Sequence, residues 1–217
     1  MRSLRPSRPR TWQAGILASA ALTATTLLAA PAHADPGPQP PASSSCDPAV
    51  DTVYFDATAQ VTPVVTDFLA INITEGSTGQ RTESLTRIDS VSTTVNQSQQ
   101  ISASLGGLFA RVKMKVGFSV SSSTSSTTST TVTNTWSFNQ PGYYGLYRGT
   151  RRVDGQYVKY VCAQTGSTTG IWVNAVKGGV GTYTTYENPE IGTVVRNCVP
   201  EPAGSVRRVA QDRLGVC

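Results

Sequence analysis

From Ala110 onward the chain alternates. The even positions are Ala110, Val112, Met114, Val116, Phe118 and Val120, and the odd ones are Arg111, Lys113, Lys115, Gly117 and Ser119. A period of two over this length predicts a strand with one apolar face. The phase continues through eleven Ser/Thr residues, Ser121 to Thr131, and returns at Val132, Trp136 and Phe138. Upstream, the odd positions Val91, Val95, Ile101, Ala103 and Leu105 carry a second stripe, and Gly106-Gly107 offers the positive φ of a tight turn between the two. The pattern therefore predicts a long amphipathic β-hairpin with arms at 81–105 and 108–138 and a polar Ser/Thr-rich middle.

Flanking segments read the same way. β-Branched and aromatic residues dominate 50–73, with Pro63 as the break, which predicts strands at 51–61 and 64–74. Residues 75–80 and 139–142 read as turns. In 143–162, Tyr143, Tyr144, Tyr147, Tyr157 and Tyr160 interleave with Arg148, Arg151, Arg152 and Lys159, and Asp154-Gly155 signals a hairpin turn. The interleaving reads as a strand pair with its tyrosines half inside. Residues 170–186 suggest a further pair folded about Gly178-Gly179. Ser205 to Leu214 reads as a short helix with Val206, Val209 and Ala210 inward and Arg207, Arg208 and Arg213 in water. The expected fold is mainly β: an elongated antiparallel sheet or sandwich with a long hairpin and a short C-terminal helix.

The first residues change the charge argument. Arg2, Arg5, Arg8 and Arg10 precede the apolar stretch 14–30, and Ala32-His33-Ala34 is a small-x-small cleavage site, so 1–34 reads as an export signal. The precursor's net charge is +5, but without those four arginines 14 basic residues face 13 acids, a net of +1. That is too little basic surface to argue for a nucleic-acid partner. The chain's one histidine, His33, leaves with the signal. A mature chain without histidine excludes the Ser-His-Asp and Cys-His triads and a histidine zinc site. No catalytic, metal or cofactor constellation stands out, and the expected role is non-enzymatic.

Cys46, Cys162, Cys198 and Cys217 are an even set in an exported chain, which favours two disulfides. Three connectivities exist, and proximity along the chain favours Cys46–Cys162 with Cys198–Cys217. Residues 35–46 form a Pro/Ser-rich extended arm ahead of a single domain at 47–217. Its prolines, Pro36, Pro38, Pro40 and Pro41, are the candidate partner-binding residues, because a preformed extended segment loses little entropy on docking. Asp47, Asp51, Asp56 and Asp67 lack the spacing of a calcium loop and read as solvated strand-edge charges.

The Ser/Thr-rich striped hairpin within 80–186 resembles the body of aerolysin-type β-pore-forming toxins. That resemblance implies a hairpin that detaches and inserts into a membrane as part of an oligomeric barrel, with Val112, Met114, Val116, Phe118 and Val120 facing lipid. In signal, Pro-rich arm, expected disulfides and size, the chain is also similar to the small exported adaptor subunits of actinobacterial umbrella toxin particles. This second resemblance implies a secreted adaptor that binds other exported proteins through 36–45 and open strand edges. The adaptor is the first expectation and the pore former the alternative, with a membrane as partner only in the latter.

Overall fold

The computed structural model describes residues 37–86, 93–97, 105–122, 131–176, 179–197 and 199–215. All lie within 35–217, one of two units into which the chain divides. In chain order the elements are β1 (Ser45–Cys46), β2 (Val53–Ala57), β3 (Gln60–Ile73), β4 (Gly79–Thr86), β5 (Thr94–Gln97), α1 (Leu105–Val116), β6 (Thr131–Phe138), β7 (Gly142–Gln164), β8 (Gly170–Asn174), β9 (Val180–Tyr186), β10 (Glu190–Val195) and α2 (Val206–Leu214). The fold is mainly β, its ladders are antiparallel, and it ends in the expected helix.

β7 is the spine. Along one edge it pairs with β3 and then β2, and along the other with β10, β9 and β8 in turn. β5 extends the sheet beyond β9, and β1 extends it beyond β8. Alternate residues of β7 face opposite sides. On one side Tyr147 packs with Val65, Val194 and the α2 residues Val206 and Ala210. Further along that side, Val153 and Tyr157 join Phe55, Tyr183 and the α1 residues Leu108, Phe109 and Val112. On the other side Leu146 packs with Ile71 and with Trp136 and Phe138 of β6. Ser205 caps α2, its Oγ accepting from the Arg208 N–H, so the helix starts where the sequence places it.

Several expectations are corrected. Asp154-Gly155 is not a turn, because β7 runs straight through it. The glycine is there for space: a Cβ at 155 would lie 2.1 Å from the Thr58 carbonyl and 2.7 Å from the Tyr183 ring. β8 and β9 are strands, but each pairs with β7 rather than with the other. Pro63 lies inside β3, opposite Arg151, and the break falls at 58–59 instead. An edge strand tolerates proline on its unpaired side. Asp56 is 5 % exposed, not a solvated edge charge.

The largest correction concerns the hairpin. Its outer ends exist as the two-stranded β4–β6 ladder, in register from Gly79–Phe138 to Thr86–Thr131. Gly106-Gly107, however, opens α1 instead of forming a turn, and Val112, Met114 and Val116 are helical. Neither glycine adopts positive φ, and Gly107 lets the helix lie against Phe55, whose ring a Cβ would meet at 3.3 Å. Much of the Ser/Thr run, 123–130, and the first arm's 87–92 and 98–104 lie outside the described residues. Among the described residues no helix is long and apolar enough to cross a membrane.

Candidate functional site

Residues 87–130 are an insert between the two strands of the β4–β6 ladder, and the described parts of that insert are docked on the body at three places. β5 adds to the free edge of β9 in register from Thr94–Thr184 to Gln97–Gly181. α1 seals one end of the core through Leu108, Phe109 and Val112, all at most 3 % exposed. Beyond the helix, Val120 bridges Glu187 and the Ser121 N–H donates to the Tyr186 carbonyl at 2.8 Å. Buried Thr185 returns a hydroxyl to the Ser121 carbonyl at 2.6 Å. Phe118 lies under the Arg151 guanidinium, 3.7 Å from ring centroid to Cζ. Glu187 grips that guanidinium with both oxygens, at 2.6 and 2.7 Å, and raises its pKa further above the ordinary range.

α1 is held by its surroundings more than by its own sequence. It opens on two glycines, each costing roughly 1 kcal/mol relative to alanine, and carries no acid in its first turn. At twelve residues it is marginal in isolation. Leu105, Leu108, Phe109, Val112 and Val116 recur at helical spacing and meet the core. The stripe of period two runs through the same stretch, and the helix leaves part of it unused: Met114 is 67 % exposed.

One buried carboxylate ties three parts of the chain together. Asp56 on β2 accepts from Arg111 Nε of α1 at 3.2 Å and from the Gln39 N–H of the arm at 2.7 Å. Arg111 Nη2 also donates to the Tyr54 hydroxyl at 2.9 Å, and the guanidinium sits 5.4 Å from that ring's centroid. Tyr54 in turn contacts Tyr160 and Trp172, with centroids 6.1 and 5.9 Å away. Burial, with the Asp56 charge as a lesser cause, raises the Tyr160 pKa.

Of the arm's candidate residues, Pro38 and Pro41 are half-buried, Pro40 is exposed, and Pro36 lies outside the described residues. The arm's root is stapled by the Cys46–Cys162 disulfide. Cys198 and Cys217 lie outside the described residues. Val112 is buried, Val116, Phe118 and Val120 are half-buried against the same core, and only Met114 of the striped candidates faces water. Sequence reading took Asp56 for a solvated edge charge and missed Arg111 and Gln39. The sole available signal was an acid inside the otherwise apolar Val53–Ala57 strand.

No protein-family model matches the chain, and no curated protein sequence matches it. Among solved structures, the crystal structure of the oligomeric pore-forming toxin pro-Monalysin is similar over 69 % of each chain, at 17 % identity and a TM-score of 0.27. A superposition that loose carries no argument about fold or function.

Proposed function

We propose that this chain inserts a β-hairpin into a membrane and assembles with copies of itself into a pore, the described parts of the insert, 93–97 and 105–122, being docked on the body until release. The observation that supports this reading is the β4–β6 register. Continued inward from Thr86–Thr131, it pairs Gly107 with Ala110 and leaves Leu108-Phe109 as a two-residue turn. Val112 then falls opposite Leu105, Met114 opposite Ala103 and Val116 opposite Ile101. Cross-strand partners share a face, so the two apolar stripes coincide as far as Ile101 and Val116, beyond which Gln99 and Gln97 fall opposite Phe118 and Val120.

The opposite face would be polar but for one residue. On the second arm it carries Arg111, Lys113 and Lys115, then Gly117, and from there to Ser137 only Ser and Thr. On the first arm, from Gln80 to Gly106, its one apolar residue is Ile88. The observed ladder already has this character, with the Thr82 and Thr135 hydroxyls 2.8 Å apart on that face. Eleven residues, 110–120, extend about 36 Å and, tilted by roughly 45°, match an apolar band about 25 Å tall. Every backbone group in such a closed barrel finds a partner, which the bilayer demands.

The test is dye release from liposomes by the mature protein, with Val116→Asp as the control that places a charge on the lipid face. Release by the parent, lost in the variant while the soluble fold persists, is the expected result. No release at any lipid composition would overturn the reading. Capture of a larger exported protein, lost on deleting 35–45, would instead favour the adaptor role of the arm.

A further inference from the structure

We infer that the conduit is anion-selective, with Arg111, Lys113 and Lys115 forming stacked cationic rings near its inserted end. The inference rests on the pore reading above and specifies what passes through it. In the register set by the β4–β6 ladder, the lumen face consists of even positions from Gln80 to Gly106 and odd positions from Arg111 to Ser137. Among those residues the charged ones are Arg111, Lys113 and Lys115, all positive. The hairpin's acids, Glu83 and Asp89, fall on the outer face beside Arg81 and Arg87, and no acid follows between Ser90 and Asn139.

Each protomer therefore adds three cations and no anion to the wall. Alternate residues on a strand are about 6.6 Å apart along it, closer than the Debye length of about 8 Å in physiological salt. Neighbouring rings act together rather than being screened separately, and rings of Lys and Arg select anions. In the stored form Lys113 and Lys115 lie on the exposed side of α1.

The experiment is reversal potential in a planar bilayer under a potassium chloride gradient, for the parent and for Lys113→Gln/Lys115→Gln. Arg111 is left in place because it holds Asp56. A chloride-to-potassium permeability ratio above 1, falling towards 1 in the variant with conductance retained, is expected for charged rings of this kind. A parent ratio at or below 1, or a ratio the double substitution leaves unmoved, overturns the inference and leaves the pore standing. No conductance from the parent overturns the pore reading as well.

Discussion

Replacing Arg111 with alanine tests whether the insert is latched where the contacts place it. The substitution removes the cation facing Asp56 and leaves that carboxylate, 5 % exposed, with the Gln39 N–H alone among these two donors. Breaking a fully buried ion pair costs 3–5 kcal/mol. One third of the Arg111 side chain is open to solvent, which reduces the expected loss to about 2 kcal/mol. If the loss falls on docking alone, the population with α1 detached rises about thirtyfold. Hydrogen exchange resolved by peptide reads this directly. Amides of α1 should exchange about thirtyfold faster while those of β7 keep their protection. Arg111→Lys, which retains the charge but not the planar fork, should recover part of it. Unchanged α1 exchange would show that the pair holds nothing. A uniform rise across α1 and β7 would show that it stabilises the whole body and is not a latch.

Other consequences follow from packing and burial. Gly149→Ala would put a Cβ 2.3 Å from Val206 Cγ1 and 2.6 Å from the Val64 carbonyl, so urea unfolding should show a loss of about 1–3 kcal/mol, with α2 opening first. A stability equal to the parent's would mean that α2 rides freely over the sheet. The Cys46–Cys162 bridge joins residues 116 apart, and replacing both with alanine should lower stability by roughly 5 kcal/mol on the chain-entropy account. A loss under about 1 kcal/mol would contradict that account. Burial, with the Glu190 hydrogen bond second, pushes the Tyr147 pKa far up, and burial raises Tyr157 and Tyr160. Neutral phenols favoured in the folded state contribute stability below about pH 10, and that contribution is lost as pH rises above it. Phenolate absorbance should therefore show these tyrosines ionising only with unfolding. Reversible ionisation of all eight in the intact fold near the ordinary value would refute it.

Much of the body was legible in the sequence because single signals pointed one way. Ser205 ahead of Val206, Val209 and Ala210 marked α2, and β-branched runs marked β2, β3 and β9. Pairing the neighbouring Cys198 and Cys217 left Cys46–Cys162 as the long-range staple, the bridge that the fold shows. Other signals carried two meanings. Glycine beside Asp154 reads as a turn, yet Gly155 is needed because Tyr183 and the Thr58 carbonyl come too close for a side chain. A free edge made Pro63 harmless to β3, so the expected break moved.

The insert is the instructive miss. Residues 105–120 hold two apolar periods at once. Leu105, Leu108, Phe109, Val112 and Val116 suit a helix, whereas Ala110, Val112, Met114, Val116, Phe118 and Val120 suit a strand. The longer alternation won the sequence reading, while burial against Phe55 and Tyr157 decides the stored fold. Asp56 was misread for a related reason. An acid's partners lie 17 and 55 residues away along the chain, and no local pattern reveals them.

The central claim is that this stretch exchanges one period for the other at a membrane. The most direct measurement is an environment-sensitive fluorophore placed in turn at each position from 110 to 120, read in solution and after incubation with liposomes. In solution the signal should follow the helix, with 112 buried and 114 open. On liposomes it should alternate strictly, with 112, 114, 116, 118 and 120 in lipid and 111, 113, 115, 117 and 119 in water. A helical period that survives on the membrane, or spectra that liposomes leave unchanged, would contradict the account.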